Sequence, residues 1–434
     1  MRRGDTHIAA TADIEAGRSE PALHPRHVAA VTIGNALEFY DFLTFAFFAV
    51  YIGRSFFPST DPSSTLLNTL ATFGAGFLTR PLGAIVIGSM GDRIGRRPAL
   101  LVSFGLMGAA IVGLALTPSY EAIGVAAPIL VIFWRLVQGF ALGGEVGPST
   151  AFLIEAAPLR SRGFYVSLQS ASQQLAVLAS GLIGTALAAS LSEQQLQDWG
   201  WRVAMLLGAV IVPVGLVIRR NLPETHSKTG GPRPPIAPHV RVIVLGLLML
   251  AYATIGTYVI NYMATYALTT LHLPPTISFG VIIVQGVTAI AFIVGAGALS
   301  DRIGRKPVML IGGTVLLFSI LPAFWVMTQW PGVYVFYACV AALVALQGIT
   351  AAPVIVLITE QLPAGIRSGV VAIVYAFAIS IFGGSAQYIV ALIQKLSGDP
   401  LAPAYYWTAA LAVGLTAMSM IRESAPRLVP RVAD

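Results

Sequence analysis

Twelve apolar runs of about 20 residues or more dominate the chain, at about 28–51, 65–90, 98–117, 124–147, 164–190, 201–218, 242–267, 277–299, 307–327, 332–358, 369–394 and 403–421. Each is long enough to cross a hydrocarbon core of roughly 30 Å as a helix, which satisfies its own backbone where no water is available. Composition agrees: 56% of residues are hydrophobic and 10% charged, against roughly 25% charged in a soluble domain. The expected fold class is an all-α integral membrane protein with twelve transmembrane helices.

The chain also repeats itself. Gly88-Ser89-Met90-Gly91-Asp92-Arg93-Ile94-Gly95-Arg96-Arg97-Pro98 returns 209 positions later as Gly297-Ala298-Leu299-Ser300-Asp301-Arg302-Ile303-Gly304-Arg305-Lys306-Pro307. Glu155-x-x-Pro158-x-x-x-Arg162 returns as Glu360-x-x-Pro363-x-x-x-Arg367, and Gln138-Gly139 as Gln347-Gly348. Three echoes in near register predict two pseudo-symmetric six-helix bundles, the plan of a secondary transporter with its site between the halves. The expected organisation is an N-terminal tail at 1–27, a bundle at 28–218, a Pro-rich linker at 219–241, a second bundle at 242–422 and a tail at 423–434.

Lys and Arg set the orientation. With both tails cytoplasmic, 21 of the 26 fall on that side, and only Arg54, Arg202 and Lys395 fall outside. That bias follows the positive-inside pattern. The basic balance, with pI ≈ 9.6, therefore serves topology and anionic headgroups rather than nucleic acid. Residues 1–27 lack the apolar core of a cleavable signal. The lone Cys339 excludes an intramolecular disulfide. No His-x-x-x-His, Cys cluster or Walker-type phosphate loop occurs, so neither an enzyme nor a metal or nucleotide cofactor is expected.

The segment Gly88 to Arg97 resembles the hallmark turn between helices 2 and 3 of the major facilitator superfamily. Arg135, with Glu155-x-x-Pro158-x-x-x-Arg162-Gly163 twenty residues on, resembles the helix 4 pattern of its sugar porters. Gly34-Asn35-Ala36-Leu37-Glu38-Phe39-Tyr40-Asp41-Phe42, Arg80-Pro81-Leu82-Gly83, Trp199-Gly200-Trp201-Arg202 and Leu222-Pro223-Glu224-Thr225 are similar to the metabolite:proton symporter family. Gln169-Ser170-Ala171-Ser172-Gln173-Gln174 and Phe77-Leu78-x-Arg80-Pro81 are most similar to its citrate and tricarballylate branch. The resemblance implies the major facilitator fold in a bacterial inner membrane. It implies a monomeric symporter importing citrate or a related tricarboxylate with protons, driven by the proton gradient and without a cofactor. The same family carries 2-oxoglutarate, other mono- and dicarboxylates and zwitterionic osmolytes. Sodium coupling is a further alternative, since Asn35, Glu38 and Asp41 all offer oxygen ligands.

Charges inside a membrane face the bundle interior and mark function. Five such residues, Glu38, Asp41, Arg80, Arg135 and Glu145, all fall in the first half. Glu38 and Asp41 share a helix face, and burial with like charge raises their proton affinity. All six histidines lie in tails, loops or helix ends, so a carboxylate is the expected proton carrier. By resemblance to sugar porters, Asp41 faces Arg135. Its protonation then frees Arg135 for an anionic substrate, and the two binding events support each other. Arg80, mid-membrane before Pro81, suits bidentate contact with a carboxylate.

The expected substrate wall comprises Asn35, Arg80, Arg135, Gln169, Gln173 and Gln174, with Tyr258, Asn261, Tyr262 and Gln285 from the second half. Its neutral amides suit a hydroxy-acid. The duplicated turn reads as a gate. Asp92 would face a neighbouring helix terminus, Arg93 or Arg96 would pair with Glu155, and Glu145 would belong to the same inner gate. The mirror set is Asp301, Arg302, Arg305 and Glu360.

Overall fold

The computed structural model describes residues 36, 39–40, 42–94, 96–143, 157–209, 235 and 237–426, without the side chains of 91–94, 96, 97, 100, 159, 364, 365 and 368. Among them there is no strand. Each of the twelve apolar runs is helical over most of its described length. The first half comprises α1 (42–56), α2 (Pro62–Leu78, resuming as Arg80–Ile94), α3 (Arg96–Leu116), α4 (Ala126–Leu142), α5 (Arg162–Ser190) and α6 (201–209). The second comprises α7 (Val240–Asn261, resuming as Met263–Thr269), α8 (Pro275–Ile303), α9 (Arg305–Gln329), α10 (Val333–Glu360), α11 (Ala364–Ser397) and α12 (Ala402–Met420). Seven described helical stretches are long and apolar enough to cross a membrane.

Sequence explains the main irregularities. Pro81 lacks an N–H to continue the ladder, and α2 breaks one residue before Arg80, where the Thr79 hydroxyl instead donates to the Leu136 carbonyl at 2.6 Å. The second irregularity is in α11, which contains a five-residue π turn at Ile379–Gly383. Such an insertion rotates the faces on either side of it. The third is the interruption of α7 at Tyr262.

Tight helix contacts use small residues, as expected where lipid gives no hydrophobic drive to association. In α4, a Cβ added at Gly139 would overlap the Gly76 carbonyl oxygen of α2. Gly139→Val is therefore expected to cost about 3 kcal/mol or more. Fluorescence-detected size exclusion should show loss of the monodisperse folded peak, and a wild-type profile would contradict this packing. Between the halves, α2 meets α11 at Gly74 and Gly384, whose backbones touch. A second and more extensive inter-half seam is α5 against α8.

Candidate functional site

The two halves enclose a central cavity of ≈ 150 Å³, with Gln173 and Gln174 of α5, Tyr258 and Asn261 of α7, and Tyr375 of α11 in its wall. Phe39 and Leu43 close one side. Behind that wall lies an aromatic cluster. Phe42 of α1 stacks edge-on to Phe77 of α2 at 4.7 Å between centroids, and Phe77 stands 5.7 Å from the Tyr258 ring. Phe73 joins them, 5.0 Å from Phe42 and 6.0 Å from Tyr258.

Both mid-membrane arginines are held by this cluster. The Arg80 guanidinium carbon lies 4.5 Å from the Phe42 centroid and 4.3 Å from that of Phe77. Arg80 is only 7% exposed, and its Nε and Nη2 have no hydrogen-bond partner among the described residues. Arg135 is fully buried against the rings of Phe42, Phe45 and Phe73, at 4.3, 4.5 and 5.1 Å. It donates to Gln138 Oε1 at 2.7 Å and to the Phe73 carbonyl at 3.3 Å. Desolvated cation–π contacts contribute about 2 kcal/mol each, but they leave N–H groups unfilled. Arg80 thus keeps two unfilled donors, closed off behind the cavity wall in this conformation.

The expected site residues divide. Gln173, Gln174, Tyr258 and Asn261 line the cavity; Gln169 and Gln285 are buried beside it, Gln285 donating to Asn261. Tyr262 points elsewhere, into a second cavity of ≈ 620 Å³ that includes Tyr51, Arg54, Glu193 and Lys395. Asn35, Glu38, Asp41, Glu145 and Glu155 lie outside the described residues, as do the side chains of Asp92, Arg93 and Arg96. The structure adds Tyr375, Thr254, Phe42 and Phe77. Of these, Tyr375, a tyrosine within an apolar run, carried a sequence signal; Phe42 is far from Arg80 in the sequence and carried none.

At the end carrying the second duplicated turn, Asp301 spans the halves. Its two carboxylate oxygens accept from the Gly163 and Phe164 N–H groups at the start of α5, each at 2.9 Å. A carboxylate at a helix N-terminus is favoured by the helix dipole. Arg305 pairs with Asp301 at 2.7 Å and with Glu360 at 3.1 Å. Arg302, by contrast, is exposed, so the inner partner of Glu360 is Arg305. Glu423 accepts from the Arg305 and Lys306 N–H groups at 3.0 and 2.8 Å. Partial burial would push its carboxyl up, but four backbone donors hold it below the usual range.

At the opposite end, Lys395 of α11 donates to Asp61 Oδ2 at 2.7 Å and to Ser64 Oγ at 2.8 Å, tying α11 to the start of α2. Asp61 also caps α2, accepting from the Ser63 N–H at 3.0 Å. Lys395, then Ser64 and the Ser63 N–H, hold the Asp61 carboxyl well below its ordinary range. A depressed carboxylate stabilises its contact above the unfolded pKa and loses that support only as pH falls through the folded one. The tie should therefore persist on acidification through the ordinary carboxylate range. Lys395→Gln should remove that acid resistance and increase labelling of a cysteine placed at Val50, which lines the second cavity. Equal labelling in the two backgrounds across that pH range would rule the tie out as a closure.

Two related helical halves around a buried cationic centre define a membrane carrier. The chain belongs to the major facilitator superfamily, whose family model matches residues 31–387. It is a multi-pass membrane transporter, not an enzyme. It is 38% identical over 401 residues to a citrate-proton symporter of Salmonella typhi, covering 90% of this chain and 92% of the relative. It is 30% identical over 409 residues to the alpha-ketoglutarate permease of Escherichia coli, covering 92% and 93%. Among solved structures, the D-xylose-proton symporter superposes with a TM-score of 0.77 at 20% identity, over 92% of this chain and 98% of that one.

Proposed function

We propose that this protein is a proton-coupled symporter that imports citrate or a related tricarboxylate by alternating access. The observation that carries the reading is Arg80: a buried guanidinium between the halves with two unfilled donors and no ion partner among the described residues. A buried cation without a counter-charge is costly, and a substrate carboxylate would remove that cost. The name of the Salmonella relative supports the choice of acid and of the coupling ion.

Proton coupling is assigned to Asp41, with Glu38 beside it. The resemblance to sugar porters supports Asp41 as the partner of Arg135, whose guanidinium is covered by Phe45 of α1. Protonated Asp41 would release Arg135 toward the substrate, and ionised Asp41 inside the cell would take it back. Asp92, Arg93, Arg96, Glu145 and Glu155 are assigned to the gate with Asp301, Arg305 and Glu360. The turn end is assigned to the cytoplasm with both tails, the two bundles are joined by the linker at 219–241, and a monomer with no cofactor is the working unit.

The test is uptake of radiolabelled citrate into proteoliposomes with and without an inward proton gradient. Accumulation above the outside concentration is expected only with the gradient. Absence of citrate movement in both would remove citrate as the substrate, and a panel led by 2-oxoglutarate would replace it.

A further inference from the structure

Three amides line the central cavity. The Asn261 side-chain oxygen accepts from Gln285, and Gln173 shares the cavity wall with Tyr375. Gln174 is different. Its Oε1 is buried and has no hydrogen-bond partner among the described residues. It stands on the cavity face of α5, one turn after Ser170, with Val177 beyond it.

An amide oxygen only accepts. A substrate carboxylate, itself acceptor-only when ionised, cannot satisfy it; an O–H or N–H donor is required. On a small organic acid at neutral pH the available donor is a hydroxyl. The geometry points to Gln174 Oε1 as the acceptor for a hydroxyl group of the substrate, making the site selective for hydroxylated polycarboxylates over their deoxy analogues. This rests on the reading of the cavity as an organic-acid site. Division of labour follows from it: Arg80 takes the charge that all such acids share, and Gln174 reads the group that distinguishes them. Leaving a buried acceptor unfilled costs enough to weaken binding of the deoxy acid by about 10- to 100-fold.

The experiment is competition against uptake of the labelled acid by matched pairs: citrate with tricarballylate, malate with succinate, 2-hydroxyglutarate with glutarate. Wild type is expected to prefer the hydroxylated member by about 10- to 100-fold. In Gln174→Met that preference should fall to about threefold or less, through a higher KM for the hydroxylated acid. A preference unchanged in Gln174→Met overturns the inference. So does a wild-type preference below threefold, which decides the matter even if the variant fails to fold. Transport only of a compound with no O–H or N–H donor, such as glycine betaine, also overturns it. If citrate is not carried but another pair shows the Gln174-dependent preference, the citrate reading fails while the hydroxyl contact stands.

Discussion

Arg80→Lys is expected to raise the KM for the transported acid by about 30- to 100-fold, with a smaller change in maximal rate. The charge is retained, so long-range attraction survives. What is lost is the fork: Nε and Nη2 of Arg80 are the two unfilled donors, and they present parallel N–H groups to one carboxylate. The rings of Phe42 and Phe77 are also placed for a planar cation, and an ammonium would stack on neither in the same way. Arg80→Gln removes the charge as well and should reduce uptake by about 1000-fold. Initial-rate uptake over a substrate range separates the two parameters. An Arg80→Lys KM within threefold of wild type would take Arg80 out of substrate contact.

Asp41→Asn is expected to abolish gradient-driven accumulation while leaving exchange of labelled for unlabelled acid across the membrane. An asparagine imitates the protonated state permanently. Arg135 would then remain available to substrate on both sides, and the reciprocal support between proton and substrate that symport needs would vanish. The accumulation ratio should fall to about one with the gradient imposed, as expected when only the loaded carrier reorients and no coupling free energy links the sites. Counterflow and accumulation measured on the same proteoliposomes make the check. Persistent accumulation in Asp41→Asn would transfer the proton to Glu38.

The fold was legible because it is written in run length and in repetition, both one-dimensional signals. The existence of mid-membrane Arg80 and Arg135 was legible for the same reason, since a charge within an apolar run stands out. Their surroundings were not. Helices apolar on most sides carry little periodic signal, so nothing in the sequence singles out Phe42, Phe73 and Phe77 as the faces that receive two guanidinium groups. Tyr262 shows the limit clearly. Helical spacing places it with Tyr258 and Asn261, but α7 is interrupted at that residue, and its ring joins the second cavity instead. Arg302 and Arg305 both follow Asp301 within one turn. Only the three-dimensional course of α8 into α9 decides that Arg305 meets Glu360 and Arg302 meets solvent.

The two ties between the halves sit on different helix pairs: Asp301 of α8 on α5 at one end, Lys395 of α11 on the start of α2 at the other. They share no residue, and alternating access requires one to hold while the other opens, so a path open at both ends exists only if both ties are broken together. A carrier built this way resists leakage without any single strong barrier, because a continuous water path needs two rare events at once. Weakening either tie alone should speed turnover or bias its direction; weakening both should drain the gradient that powers it.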